Sequence, residues 1–194
     1  MLNSNFTNNS CNNYAGGVYI NNGGGYFGIL SNCIFINNTA GVSGGGVSWA
    51  GNNGTLNSST FIDNTAKDNG GGIYWNGANA TLSSSIFTNN SANNGGGVCF
   101  NTGNSRLSSS IFINNSANNG GGVSWYGAGS MSNCNFINSK SAEVNGIFAG
   151  KDLNINGGEG IVYINTQGTL SGASIVVLNN ETYYYPPSTN INFI

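Results

Sequence analysis

The chain has 194 residues, only 5% of them charged, no histidine and a net charge of −2. It has no cluster of Lys and Arg, so it lacks the electrostatic footprint of nucleic-acid binding. No apolar run approaches the roughly 18 residues that indicate a transmembrane helix. The lack of histidine excludes His-based catalytic triads and histidine metal sites.

A repeat starts near the N-terminus and continues to about residue 148. Each copy opens on an apolar residue, as at Leu30, Leu56, Leu82 and Leu107, and a degraded copy opens at Met131. A phenylalanine recurs once per copy at intervals of 29, 26, 26, 25 and 24 residues, and the members of this column are Phe6, Phe35, Phe61, Phe87, Phe112 and Phe136. A fixed period of this size indicates a solenoid or a propeller.

Short strands are predicted inside each copy. One segment alternates large apolar, variable, large apolar at 47–49, 73–75, 98–100 and 123–125, a period of two that places its first and third residues on one face. Turn-forming Asn-Asn and Gly-Gly-Gly runs separate the strands. A propeller blade needs about 40 residues. We therefore predict an all-β fold, a right-handed single-stranded parallel β-helix (β-solenoid) of about 25 residues per coil.

Stacked coils place equivalent residues in columns. We expect four interior columns: the Leu column (30, 56, 82, 107), the Phe column, the Val/Ile column (47, 73, 98, 123) and the Trp/Phe column (49, 75, 100, 125). Two structural ladders are predicted, one of Phe35, Phe61, Phe87 and Phe112 and one of Asn38, Asn64, Asn90 and Asn115. Stacked asparagines can hydrogen-bond along a ladder, and asparagine tolerates the left-handed backbone of a turn. The glycine triplets predict a corner that needs positive φ or leaves no room for a Cβ atom.

The four cysteines are predicted to be free thiols. Cys33 and Cys134 share a column with buried serines but lie four coils apart, about 19 Å at the usual strand spacing, which is too far for a disulfide. Cys99 is expected to point outward from its strand, and Cys11 to lie in a turn.

The predicted solenoid covers residues 1–180, with regular repeats in 2–148 and irregular coils in 149–180. A Pro-Pro pair at 186–187 cannot lie inside a strand ladder, so residues 181–194 are predicted to be a linker and the start of a following, truncated domain. The chain starts in phase with the repeat and without a signal peptide. We therefore expect it to be a fragment of a larger protein.

The paired motifs Phe-x-x-Asn and Gly-Gly-Gly-Val/Ile recur in order across residues 2–148. They resemble the repeats of the chlamydial polymorphic outer-membrane proteins, and equally those of the adhesin-like surface proteins of methanogenic archaea. Copy six departs from both motifs, because Ser139 replaces the asparagine and only Gly146 remains of the triplet. The resemblance implies a secreted, cell-surface protein that mediates or presents contacts to glycans or proteins of host or neighbouring cells.

Catalysis finds little support in the sequence. Some parallel β-helices are pectin lyases or polygalacturonases, whose sites need clustered carboxylates or calcium. Here only Asp63, Lys67 and Asp68 cluster, and Asp63 occupies a turn column that otherwise holds asparagine. We predict a non-enzymatic adhesin-like protein without metal or cofactor. Two alternatives stay open: a structural stalk or spacer, and a carbohydrate-active β-helix whose active site lies outside this sequence.

A candidate glycan-contact face comprises Tyr19, Tyr74 and Tyr126 with Asn76 and Asn101. Aromatic rings can stack on sugars, and asparagine amides can hydrogen-bond to hydroxyl groups. The competing interpretation is that tyrosine simply favours strands.

Ice binding needs a more regular outward array than Ser48, Tyr74, Cys99 and Ser124 provide. We expect the protein to be monomeric or to stack end to end through uncapped coils.

Overall fold

The computed structural model describes residues 1–21, 27–137 and 139 in full and, from residue 140 onward, only the backbone of the strands named below. All regular structure in the described residues is β-strand, and successive coils repeat about every 26 residues. The predicted fold class, a parallel β-solenoid, is confirmed. No helix in the described part is long and apolar enough to cross a membrane.

Sheet A contains two strand positions of every coil. The Phe strands are β1 (Asn5–Thr7), β5 (Ile34–Ile36), β9 (Thr60–Ile62), β13 (Ile86–Thr88), β16 (Ile111–Ile113) and the end of β19 (Gly129–Ile137). The Leu strands are β4 (Ile29–Ser31), β8 (Thr55–Asn57), β12 (Thr81–Ser83), β15 (Ser105–Ser108) and the start of β19, followed by β22 (Leu153–Glu159), β24 (Gly168–Ser171) and the antiparallel β27 (Asn190–Phe193). The Leu strands start coils 2 to 6 at residues 29, 55, 81, 105 and 129.

Two further sheets complete each coil. Sheet B holds the short strands β2 (Ser10–Cys11), β6 (Thr39–Ala40) and β10 (Thr65–Ala66), and a second short pair is β17 (Ser116–Asn119) with β20 (Lys140–Val144). Sheet C holds β3 (Val18–Ile20), β7 (Val47–Trp49), β11 (Ile73–Trp75), β14 (Val98–Phe100), β18 (Val123–Trp125), β21 (Ile147–Ala149), β23 (Ile161–Ile164), β25 (Ile175–Leu178) and the antiparallel β26 (Glu181–Tyr184).

The four predicted interior columns form the core. Every residue of the Leu, Phe, Val/Ile and Trp/Phe columns from coil 2 to coil 5 is at most 1% exposed. Neighbouring phenylalanine rings from Phe6 to Phe136 stack with centroids 4.6–4.8 Å apart, which is the strand spacing itself. Each such side chain contributes about 1.5–3 kcal/mol by burial. Since each coil covers the next, this stabilisation depends on neighbours.

The asparagine ladder lies inside the solenoid, beside the phenylalanine column. Asn38, Asn64, Asn90 and Asn115 are 0% exposed. In Asn64, Nδ2 donates to Oδ1 of Asn90 at 3.0 Å and to the carbonyl oxygen of Phe35 at 2.9 Å. Its Oδ1 accepts from both the backbone N–H and Nδ2 of Asn38. The predicted ladder is therefore confirmed, and it satisfies buried backbone groups at a turn where the sheets cannot.

The expected left-handed backbone lies one residue earlier than predicted. The residues with positive φ are Asn37, Asp63, Asn89 and Asn114, at +52° to +55°, which directly precede the ladder. The exposed side chain of the left-handed residue leaves the solenoid, while the following asparagine points inward. Asp63 takes this conformation as readily as asparagine, in agreement with its predicted role as a turn substitute.

A serine column seals the opposite end of the Phe strand. Ser59, Ser85 and Ser110 each donate from Oγ to the carbonyl oxygen two residues earlier, at 2.8 Å. Cys33 and Cys134 make the same contact through sulfur at 3.4 Å and are equally buried. Both predictions for these cysteines, burial in the serine column and free thiols, are confirmed.

The glycine triplets form the predicted corner for two separate reasons. The first glycine has positive φ, from +62° to +76° in Gly44, Gly70, Gly95 and Gly120. The second and third glycines pack against the next coil, where a Cβ on Gly71 would lie 2.4 Å from the carbonyl oxygen of Gly96. A side chain there would separate the coils.

The domain division stays a prediction. The proposed boundary at residue 180 and the Pro-Pro pair lie outside the described residues, as does Gly146. Ser139 is described, and its Oγ donates to the carbonyl oxygen of Phe112 at 3.3 Å. It thus retains the ladder's bond to a phenylalanine carbonyl in copy six.

Candidate glycan-contact face

The candidate face lies on the outer side of sheet C. The middle residues of its strands pair in register in the order Tyr19, Ser48, Tyr74, Cys99 and Ser124. Since strand side chains alternate between faces, these residues point away from the Val/Ile and Trp/Phe columns of the core. Tyr19 is 52% exposed and Tyr74 is half-buried.

A second column runs along the ends of the same strands. Asn76, Asn101 and Tyr126 follow the last residue of β11, β14 and β18, and each donates its backbone N–H to the previous coil. Tyr126 therefore stacks with the two asparagines and is not in the column of Tyr19 and Tyr74. It is half-buried, and burial raises its pKa above the ordinary tyrosine value.

The structure joins three of the predicted residues in one hydrogen-bonded group. Nδ2 of Asn101 donates to Oδ1 of Asn76 at 2.7 Å, and the hydroxyl of Tyr74 donates to the same oxygen at 3.3 Å. Among the described residues, neither Nδ2 of Asn76 nor Oδ1 of Asn101 has a hydrogen-bond partner. Both asparagines are exposed, so one donor and one acceptor face solvent beside a tyrosine ring.

Tyr14 belongs to this face although the sequence did not predict it. Its ring centroid is 6.5 Å from that of Tyr19, and it is 48% exposed. It also contributes to the raised pKa of Tyr74. The available signal was an aromatic residue in a polar Asn-Asn-Tyr turn, where no strand propensity explains it.

Cys99 lies on the outer side of sheet C, as alternation predicts, and the structure adds that it is buried, with 0% exposure. Tyr74 pairs with it in the preceding coil. Ser48 and Ser124 are similarly buried. The small residues therefore form the floor of the face, and the tyrosine side chains project from it.

Tyr74 and Cys99 are both neutral at physiological pH. Burial, together with Cys99 and Tyr14, raises the pKa of Tyr74 to about 12. Burial also raises the pKa of the Cys99 thiol far above its ordinary value. Tyr74 is therefore a phenol that can donate to Asn76, and Cys99 is an unreactive thiol.

The one acidic cluster does not form a compact site. Asp63 lies at an exposed corner with φ +55°, and Lys67 is exposed after β10. No described ion pair joins Asp63, Lys67 and Asp68. The fully described residues contain no group of three or more His, Cys, Asp or Glu side chains that could hold a metal ion.

Comparison with known proteins adds one match to this parallel β-solenoid. Residues 58–74 and 84–102 match the Chlamydia polymorphic membrane protein repeat. The two segments contain Phe61 and Phe87 with their ladder asparagines and the glycine triplets 70–72 and 95–97. The resemblance inferred from the motifs is thereby confirmed, and the match suggests a surface or outer-membrane protein. No curated protein and no solved structure matches the chain.

Proposed function

We propose that this chain is a non-enzymatic, adhesin-like surface module that contacts cell-surface glycans through the outer face of sheet C. The observation that carries the proposal is the group formed by Tyr74, Asn76 and Asn101. It presents a tyrosine ring beside an amide donor and an amide acceptor. Sugars are complementary to this group, because their apolar ring faces can stack on the tyrosine ring and their hydroxyl groups can hydrogen-bond to the amides.

Preorganisation supports the same function. The asparagine side chains are held by each other and by strands in register, so little side-chain entropy is lost on binding. Tyr14 and Tyr19 extend the aromatic strip toward the first coil. The match to a membrane-protein repeat is consistent with a position where such a face meets other cells.

A glycan array and a mucin-binding assay test the proposal. The folded chain is compared with the triple variant Tyr19→Ser, Tyr74→Ser, Tyr126→Ser, and a control carries Ile34→Ser and Ile86→Ser. These isoleucines are 37% and 40% exposed on the outer side of sheet A. Saturable binding that the tyrosine variant loses and the control keeps supports the proposal, provided that thermal unfolding shows both variants folded.

A structural spacer is the second candidate, favoured by the uninterrupted ladder from Asn38 to Asn115. Hydrogen bonds between the side chains of successive coils resist stretching of the solenoid. If the folded chain binds neither glycans nor mucin, the result favours the structural spacer. Release of reducing ends or unsaturated products from polysaccharides during the same incubations would instead indicate an enzyme.

A further inference from the structure

A groove lies at the corner where sheet C passes into the Leu strands of sheet A. Phe100 pairs with Trp125 and Ser105 pairs with Gly129. Four residues connect Phe100 to Ser105, whereas three connect Trp125 to Gly129. The turn of coil 5 is therefore one residue shorter than the turn above it. The resulting step leaves a cavity of about 670 Å³, lined by Asn79, Thr81, Asn104, Ser105, Arg106, Ala128, Gly129 and Ser130.

The missing residue is the left-handed asparagine of this corner. Asn53, Asn79 and Asn104 have φ of +56°, +58° and +62°. Nδ2 of Asn79 donates to Oδ1 of Asn53 at 2.9 Å, but no described hydrogen bond joins Asn79 to Asn104. The corresponding turn of coil 5, residues 126–128, contains no asparagine. The amide ladder therefore stops at the groove, and the carboxamide of Asn104 has no hydrogen-bond partner among the described residues.

One more polar side chain meets this cavity without a partner. Ser105 also lines the step, but it is 1% exposed and lies on the inward side of β15 with Leu107. Arg106 is exposed and has neither an ion pair nor a side-chain hydrogen bond to any described residue. A free carboxamide and a free guanidinium thus line the same step. A concave polar surface with one unpaired cation is suited to an anionic ligand.

We propose that the groove binds the carboxylate of an acidic sugar, with Arg106 as the anchor. A guanidinium matches a carboxylate in two parallel hydrogen bonds. Among the described residues, Arg106 is the only charged one in the lining, and the whole chain has a net charge of −2. One cation beside these neutral described residues suits a monovalent carboxylate better than a phosphate dianion. The amides of Asn79 and Asn104 and the hydroxyls of Thr81 and Ser130 meet the sugar hydroxyls.

An acidic peptide fits the groove less well. Peptides commonly bind by adding a strand to an open sheet edge or by filling apolar pockets. Here β12, β15 and β19 are each paired on both sides. Among the described lining residues, only Ala128 and Gly129 lack a polar side chain. The groove shares no residue with the tyrosine face, so either site can fail without the other.

Titration calorimetry of the whole chain at low salt tests the site. The probes are trigalacturonate, its methyl ester, 3′-sialyllactose, lactose and a tetraglutamate peptide, and the first and third distinguish uronic from sialic acids as the source of the carboxylate. We expect binding of an acidic sugar, no binding of its neutral counterpart, and a loss of about tenfold or more in affinity in Arg106→Gln. The matched control Lys67→Gln removes the other basic side chain among the fully described residues, which lies outside the groove lining, and should bind as the unaltered chain does.

A second variant closes the groove without touching Arg106. Inserting one asparagine between Ala128 and Gly129 restores the turn length of the coils above, and we expect it to abolish binding. The proposal is overturned if neither acidic sugar binds, if the neutral counterparts bind equally well, if the peptide alone binds, or if Arg106→Gln and Lys67→Gln have the same effect. Because Arg106 is exposed, we expect Arg106→Gln to fold as the unaltered chain does. The test with this variant is therefore valid even if the insertion variant fails to fold.

Discussion

Asn101 donates a hydrogen bond from Nδ2 to Oδ1 of Asn76 at 2.7 Å, one coil away on the outer side of the solenoid. An amide–amide bond of the opposite direction occurs in the interior, where Nδ2 of Asn64 donates to Oδ1 of Asn90 in the following coil and both residues are wholly buried. One type of contact thus has two settings. Inside, it satisfies the backbone and fixes the coil spacing; outside, it leaves amide groups free to meet a ligand.

The outer pair should matter for binding and little for stability. We expect Asn76→Ala to lower glycan or mucin binding at least as much as Tyr74→Phe does, because it removes the oxygen that orients both Tyr74 and Asn101. The free energy of unfolding should change by less than about 1 kcal/mol, as for other exposed hydrogen bonds. Parallel binding isotherms and urea unfolding check both parts. Equal binding by the unaltered chain and Asn76→Ala would remove this group from the proposed site.

The inner ladder should behave in the opposite way. Asn64→Leu leaves the Phe35 carbonyl and the backbone N–H of Asn38 without their partner, and it removes one hydrogen bond each from the side chains of Asn38 and Asn90. With unsatisfied buried groups costing about 1–3 kcal/mol each, we expect a loss of roughly 3 kcal/mol or more in the free energy of unfolding. Asn118→Ala is the control, since its amide bond to Asn93 is exposed. Urea unfolding that shows similar losses for both variants would contradict a structural role specific to the inner column.

A single alanine breaks the pattern of the glycine corner. Ala15 has φ +63° and is 7% exposed, in the position that Gly44, Gly70, Gly95 and Gly120 hold in the later coils. Left-handed backbone costs a non-glycine residue about 1–2 kcal/mol, and the added freedom of glycine in the unfolded chain returns about 0.4–1 kcal/mol of this. We expect Ala15→Gly to stabilise the chain by about 0.5–1 kcal/mol, measured by thermal unfolding. Gly70→Ala, the reciprocal change, should destabilise it, because its Cβ would collide with the backbone of Ile73.

The repeat made the fold accessible from the sequence. Period-two alternation identified Val47 and Trp49 as interior, and the recurrence of Phe35 and Asn38 identified the ladders, because stacking converts a sequence period into a spatial column. Asn37 and Asn38 could not be told apart by type, which is why the left-handed position was placed one residue late. The right-handed sense of the coils and their end-to-end stacking stay predictions.

The surface was less predictable than the core. Alternation correctly placed Cys99 on the outer side but did not predict its burial beside Tyr74, because alternation within one strand carries no information about side chains in other coils. The groove at Arg106 was present in the sequence as the shortest interval of the Leu column, from Leu107 to Met131. Only the register shows that the turn, and not a strand, lost the residue.

The buried phenol and thiol of sheet C predict loss of stability in alkali. Burial raises the pKa of Tyr74 from its ordinary value of 10.0 to about 12, and it raises the pKa of Cys99 above 9.0. Both groups therefore hold their protons more tightly in the folded chain than in the unfolded one. Their contribution to stability is complete below the unfolded pKa and is lost as pH rises through the folded pKa.

Between pH 10 and 12 the urea midpoint should fall, and it should fall less in Tyr74→Phe and in Cys99→Ser. Serine is the natural control residue at position 99, because Ser48 and Ser124 occupy the same column. A urea midpoint whose fall is identical in all three chains would show that neither group is more protonated in the folded state.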